Sequence, residues 1–321
     1  MKRFLIIISI LIAVAVVIRL ASSDSFWGES EEKISATNAI LHLDMKGVIF
    51  NGKKFLKTLK KYQEKTEIKA VLVEINSPGG AVGPSQELYS ALKNVRDNLK
   101  KPVVCVSSGL VASGGYYASL GCSQLIVAPG ALIGSIGVIM EFANLEKLYD
   151  WAKISRYTIT SGKFKDSGAE FRSMRDDEKQ LFQSMIDEVY QQFKSAVAAE
   201  RKLQAEVLEQ YTDGRVFTGE TAVKAGFADS VGTYEDAVKV AAKLAKLGDN
   251  YEVFEVPKRK VSIFDLGDSG EEDSLNIVTD MADKILNSKS NMSADIGAQM
   301  IKKLLRTEFL NQPLYLMPGT W

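Results

Sequence analysis

"PVVCVSSGLVASGGYY", residues 102–117, decides the fold. Val103 to Val106 form a continuous apolar run, as in a strand buried on both faces of a parallel sheet. The run ends in a small-residue turn in which Ser113 stands between Ala112 and the pair Gly114–Gly115. A serine in that place is either a nucleophile on a tight turn or a small residue that lets a helix pack closely. Taken alone, the segment leaves both readings open.

Strand and turn recur on either side. "KAVLVEINSPGG" (69–80) is a second apolar run closed by a proline and paired glycines, and "SQLIVAP" (123–129) is a third. "NAILHLDMKGVIF" (38–50) predicts a first strand. Between them Phe55, Leu56, Leu59 and Tyr62 recur at helical spacing, as do Leu88, Leu92, Val95 and Leu99. Strands alternating with helices predict an α/β protein whose parallel sheet is covered on both sides. Beyond Asp150, "SRYTITSG" (155–162) predicts a further strand. Residues 175–201 predict a long helix with Leu181, Met185, Val189 and Phe193 in register, and Tyr234–Leu247 another. A last helix is expected from Leu275 to Leu305, before an apolar, proline-broken tail, "NQPLYLMPGTW" (311–321).

The 321 residues carry 40 basic and 40 acidic side chains, a balance that points neither to nucleic acid nor to an acidic solvating tail. The N-terminus is informative. Lys2 and Arg3 precede an apolar run from Phe4 to Ile18 that only Ser9 interrupts. This reads as a membrane anchor, with a cleaved signal segment or a buried helix as alternatives. The preceding charges keep the N-terminus in the cytoplasm and send the rest of the chain across the membrane. The expected organisation is an anchor or signal segment at 1–21, a linker at 22–37, a catalytic domain at 38–257, and a C-terminal linker, helix and apolar tail at 258–321. Cys105 and Cys122 read as buried free thiols, since a chain of this size needs no staple, with a disulfide as the alternative outside the cytoplasm. No His/Cys cluster has metal-ligand spacing.

A serine nucleophile needs a proton acceptor and donors for the developing oxyanion. The single histidine, His42, lies inside the first strand between Leu41 and Leu43, where a core or surface role is expected. That leaves lysines, and Ser-Lys pairs are an established variant of the triad. Ser113 follows a buried strand, at the end where parallel sheets build their sites. "INSPGG" closes the neighbouring strand at that end, so the two loops face each other as an oxyanion cradle. Tyr116 and Tyr117 read as packing residues.

"INSPGG", "GLVASGGYY", "GSIGV", "SGKFKDSG" and "GRVFTGETAVKAGFAD", in this order and spacing, resemble signal peptide peptidase A in its short bacterial form. The resemblance covers roughly Ala39 to Pro257. It implies a Clp-protease/crotonase-like superhelix of repeated ββα units behind an N-terminal transmembrane helix. It implies a serine endopeptidase, anchored in the bacterial inner membrane with its catalytic domain on the periplasmic side, that degrades hydrophobic peptides, chiefly remnant signal peptides. By motif position, Ser113 is the nucleophile, Lys165 the general base and Ser135 the residue that orients the lysine. Gly114 and Gly79 or Gly80 are the oxyanion donors. Lys163 competes with Lys165 for the role of base, and Phe164 stands where the family motif has tyrosine. No metal or organic cofactor is implied. A homo-oligomeric ring, an octamer among the expected sizes, follows from the fold type. Two alternatives are a crotonase-like acyl-CoA enzyme, which shares the oxyanion loops, and a catalytically silent membrane scaffold of the same fold. The tail is itself an extended apolar peptide and is suited to a substrate groove.

Overall fold

The apolar runs lie side by side as expected. A computed structural model describes residues 37–257 and the backbone of residues 314–316. The N-terminal apolar segment, most of the first linker and the helix expected at 275–305 lie outside the described residues. Strands β1 (Ala39–Lys46), β2 (Ile68–Asn76), β4 (Val103–Ser107) and β6 (Gln124–Val127) are neighbours, all parallel. Strand β9 (Ser230–Val231) extends the sheet beyond β6, and β10 (Glu252–Glu255) extends it beyond β1.

A second, smaller layer is built from the turns. After β2 the chain forms β3 (Gly79–Ala81) and then helix α2 (Val82–Asp97). After β4 it forms β5 (Leu110–Ala112) and then α3 (Gly114–Ser119), and after β6 it forms β7 (Leu132–Gly134). The ββα repeat expected from the resemblance is therefore visible in successive units. β5 pairs in parallel with β7, which pairs antiparallel with β8 (Val216–Thr218). Helix α1 (Lys53–Tyr62) links β1 to β2.

Packing follows from side-chain size. Helix α8 (Tyr234–Leu244) lays Ala237, Ala241 and Ala242 on Ile40, Leu72, Val104 and Ile126 of the main sheet. Three alanines let the helix approach closely. On the other side, Tyr116 and Tyr117 are buried against Phe227 and Phe193, and the Tyr116 hydroxyl donates to the Phe227 carbonyl at 2.9 Å. Phe193 belongs to the long helix α5 (Asp176–Arg201), followed by α6 (Ala205–Tyr211) and α7 (Gly219–Lys224).

Three sequence expectations are corrected. Residues 155–162 form no strand: their side chains are all exposed, with Tyr157 86% and Ile159 95% accessible, and no strand among the described residues offers them a ladder. Together with α4 (Glu146–Trp151) they form an exposed arm. The helix expected to reach Leu247 ends at Leu244. Cys105 and Cys122 are joined as a disulfide with Cα atoms 6.0 Å apart, because α3 turns the chain back over β4. No helix among the described residues is long and apolar enough to cross a membrane.

The tail reaches the second layer. Strand β11 (Leu314–Leu316) pairs antiparallel with β3, Leu314 opposite Ala81, Tyr315 opposite Gly80 and Leu316 opposite Gly79.

Candidate active site

Three loops leave the carboxyl ends of β2, β4 and β6, which are adjacent in the sheet. Each contains a residue with positive φ: Gly79 (+100°), Ser113 (+51°), and Gly134 (+105°) with Ser135 (+50°). A Cβ on Gly134 would stand 2.6 Å from the Phe217 ring, so only glycine fits beside β8. Ser113 has no such excuse. Its backbone, at φ +51° and ψ −118°, is in a region that costs a non-glycine residue on the order of 1–3 kcal/mol and recurs at functional sites.

Hydrogen bonds lock the loops together. The Ser113 N–H donates to the Gly134 carbonyl at 2.7 Å, the Ser77 N–H to the Leu110 carbonyl at 2.8 Å, and the Ala112 N–H to the Ser77 carbonyl at 3.0 Å. Ser77, which the sequence did not single out, is fully buried and pins the first loop. Its hydroxyl donates to the Gly47 carbonyl at 2.7 Å and accepts from the Gly79 N–H at 3.1 Å. The only sequence hint was its place before the proline of "INSPGG".

The hydroxyl of Ser113 is buried and has no hydrogen-bond partner among the described residues. A buried polar atom without a partner is costly, so it marks a function or a missing component. The backbone donors around it differ. The Gly79 N–H is engaged by Ser77. The Gly79 carbonyl and the Ala81 N–H bond to Ile49, which turns the N–H and C=O of Gly80 to the opposite edge, where β11 runs. Gly80 must be glycine, since a Cβ there would stand 2.1 Å from the Ile49 carbonyl oxygen. Gly114 is the first residue of α3, so its N–H has no acceptor within the helix.

The lysines separate. Lys163 is paired with Asp177 at 2.6 Å and holds that carboxyl below its ordinary range. The Lys165 side chain is exposed, and its ammonium has no hydrogen bond or ion pair among the described residues. Residues 161–168 run through successive turns, so the two lysines do not share the face of an extended strand. Ser135 is buried, its N–H bonded to the Arg215 carbonyl at 2.8 Å. Ser113 Oγ has no hydrogen-bond partner among the described residues, so neither Lys165 nor Ser135 is hydrogen-bonded to it there.

His42 stands elsewhere, edge-on to Tyr234 and 3.8–3.9 Å from the carboxylates of Asp44, Glu74 and Glu255. His42, Asp44 and Glu74 have the chemistry of a metal cluster. The Lys46 ammonium already occupies both carboxylates, at 2.9 Å from Asp44 and 3.0 Å from Glu74.

Residues 96–248 match the family described as peptidase family S49. A Synechocystis protein named as a protease is 40% identical over 242 residues, covering 74% of this chain and 86% of its own. A Methanocaldococcus jannaschii protein, also named as a protease, is 35% identical over 77% of this chain and 81% of its own. An Enterococcus faecium protein named as the signal peptide peptidase SppA is 30% identical over 71% of this chain and 70% of its own.

Proposed function

The chain belongs to peptidase family S49, the family of signal peptide peptidase A, and on that premise we propose that it is a membrane-anchored serine endopeptidase in which Ser113 and Lys165 form the catalytic dyad. Its substrates in this proposal are extended hydrophobic peptides, chiefly signal peptides released from their preproteins. The observation that carries it is Ser113: a strained serine at the junction of three locked loops, with a buried hydroxyl that has no hydrogen-bond partner among the described residues.

In the proposed chemistry, Ser113 Oγ attacks the scissile carbonyl as its proton passes to the neutral amine of Lys165. The oxyanion is held by the N–H groups of Gly114 and Gly80. The tetrahedral intermediate collapses, the leaving amine takes the proton from Lys165, and an acyl-enzyme remains. Water, deprotonated by the same lysine, then releases the acid and restores Ser113. Ser135 orients the lysine. The substrate lies antiparallel to β3, the edge along which β11 runs, so tail and substrate compete for one groove.

Ser113 needs a base, and among the described residues none is hydrogen-bonded to its hydroxyl. The exposed arm, with Trp151 79% accessible beside Tyr157 and Ile159, supports a homo-oligomeric ring in which a second copy covers the arm and Lys165 meets Ser113 across the interface. The Cys105–Cys122 disulfide supports an oxidising compartment, as on the periplasmic side of a bacterial inner membrane. The test is labelling of the full-length protein by a serine-directed fluorophosphonate, alongside hydrolysis of a hydrophobic peptide. Labelling of Ser113 that disappears in Ser113→Ala is expected. Peptide hydrolysis that persists in Ser113→Ala would remove the nucleophile.

A further inference from the structure

Glu178 is a fully buried carboxylate at the start of α5, and the reaction as proposed does not use it. Burying a charge is costly unless it is paired and its oxygens are bonded. Glu178 meets that condition through two arginines. Arg172 reaches it with both terminal nitrogens, Nη1 at 3.0 Å and Nη2 at 2.5 Å. Arg175 adds its backbone N–H at 3.0 Å and its Nη2 at 2.7 Å.

The other ends of these arginines fall on the segment that carries Lys165. Arg172 donates from Nη2 to the Asp166 carbonyl at 3.0 Å and from Nε to the Asp166 carboxylate at 3.1 Å. Arg175 donates from Nη2 to the Lys163 carbonyl at 2.8 Å. Lys163 is tied a second time through Asp177, the neighbour of Glu178. Residues 163 and 166 are thus both fastened to the first turn of α5, and Lys165 lies between them with its ammonium free of any ion pair among the described residues. Helix α5 is itself a rigid base: 26 residues long, with Phe193 and Val197 fully buried.

From this juxtaposition we infer that Arg172 and Glu178 are positioning residues for Lys165: a buried glutamate paired with a half-buried arginine, which together clamp the lysine-bearing turn onto α5. The inference rests on the proposed role of Lys165 as base. It explains why a charge is buried here, and why an arginine is needed. One planar guanidinium can serve Glu178 and both the carbonyl and carboxylate of Asp166, whereas an ammonium cannot span that set. The clamp sets position and does not touch substrate. Its loss therefore lowers turnover more than it weakens binding.

The experiment measures kcat and KM for peptide hydrolysis, and the rate of fluorophosphonate labelling of Ser113, in full-length Glu178→Gln, Arg172→Lys and Asp166→Asn. Circular dichroism at the assay temperature confirms that each is folded. A misplaced catalytic group costs roughly 100-fold. The expected result is a fall in kcat of that order for Glu178→Gln and Arg172→Lys, and of at least about tenfold for Asp166→Asn. KM stays within about twofold, and labelling slows in parallel. If Glu178→Gln does not fold, Asp166→Asn, altered on the partly exposed side of the clamp, decides alone. Folded variants that keep wild-type kcat, or whose loss is confined to KM, overturn the inference. Lys165→Ala, run beside them, separates the two questions. An active Lys165→Ala removes the base itself, whereas an inactive Lys165→Ala beside fully active clamp variants removes only the clamp.

Discussion

Tyr315 stands opposite Gly80 in an antiparallel pairing, so the chain's own tail lies on the glycine edge that faces the proposed groove. A segment tethered to its own protein acts at an effective concentration on the order of millimolar, and with millimolar intrinsic affinity it would fill about half of the grooves. Deleting residues 311–321 is therefore expected to raise kcat/KM for a short hydrophobic peptide by about twofold or more. Steady-state hydrolysis and the oligomer's size, both compared with the intact chain, are the measurements. A truncated enzyme with the intact enzyme's rate and size would mean that the tail does not occupy the groove.

The main sheet was legible because its strands are continuous apolar runs. β2, β4 and β6 stand where "KAVLVEI", "PVVCVSS" and "SQLIVAP" placed them. The second layer was not, since β3, β5, β7 and β8 are three residues each, too short for any period to register. "RYTIT" shows the opposite failure. Its alternation is that of a strand, but a strand also needs a partner, and it has none among the described residues. At the site, motif position pointed to Ser113, and the structure places that residue where the loops after β2, β4 and β6 are hydrogen-bonded together. Ser77, Arg172 and Glu178 were invisible because they stand out only by contacts that sequence spacing does not report: Ser77 reaches back to Gly47, and two arginines are bonded to Glu178.

Lys163 and Lys165 are separated by their partners: Lys163 is paired to Asp177, and Lys165 has no ion-pair partner among the described residues. Lys165→Ala is expected to abolish peptide turnover as fully as Ser113→Ala, and the double variant to be no worse than either, because the two act as one unit. Lys165→Arg is expected to be as inactive, since a guanidinium keeps its proton near neutral pH. Lys163→Ala should retain most activity. Hydrolysis rates of the folded variants decide, and an inactive Lys163→Ala beside an active Lys165→Ala would transfer the role.

Assembly gives a sharper test. If Lys165 serves the Ser113 of another copy, mixing Ser113→Ala with Lys165→Ala under conditions that exchange subunits restores activity, because some interfaces then pair an intact serine with an intact lysine. At equal mixing about a quarter of the interfaces are of that kind, so recovery approaches one quarter of the wild-type rate for a site that works as one unit. Exchange is followed by mass spectrometry of differently tagged chains. Confirmed exchange without recovery would place both members of the dyad in one chain.

Glu200 offers a stability test away from the site. It lies in the last turn of α5 and accepts from Lys93 at 2.5 Å, Arg96 at 2.9 Å and the Tyr89 hydroxyl at 2.7 Å, all on α2, so it clamps two helices together. Burial pulls its carboxyl upward, but Lys93, Tyr89 and Arg96 outweigh that and hold it below the ordinary range. A carboxyl with a lowered folded value stabilises the protein above the unfolded value, ~4.3, and loses that contribution as pH falls toward the folded one. Glu200→Gln is therefore expected to cost on the order of 2 kcal/mol at pH 7, less than a full loss of a buried pair because Asp97 still holds Arg96 at 2.7 Å and Lys93 at 3.2 Å. Denaturant unfolding of the two proteins from pH 7 downward should show the gap narrowing below pH ~4.5. A gap that stays constant into acid would mean that the glutamate's charge contributes nothing and only its packing does.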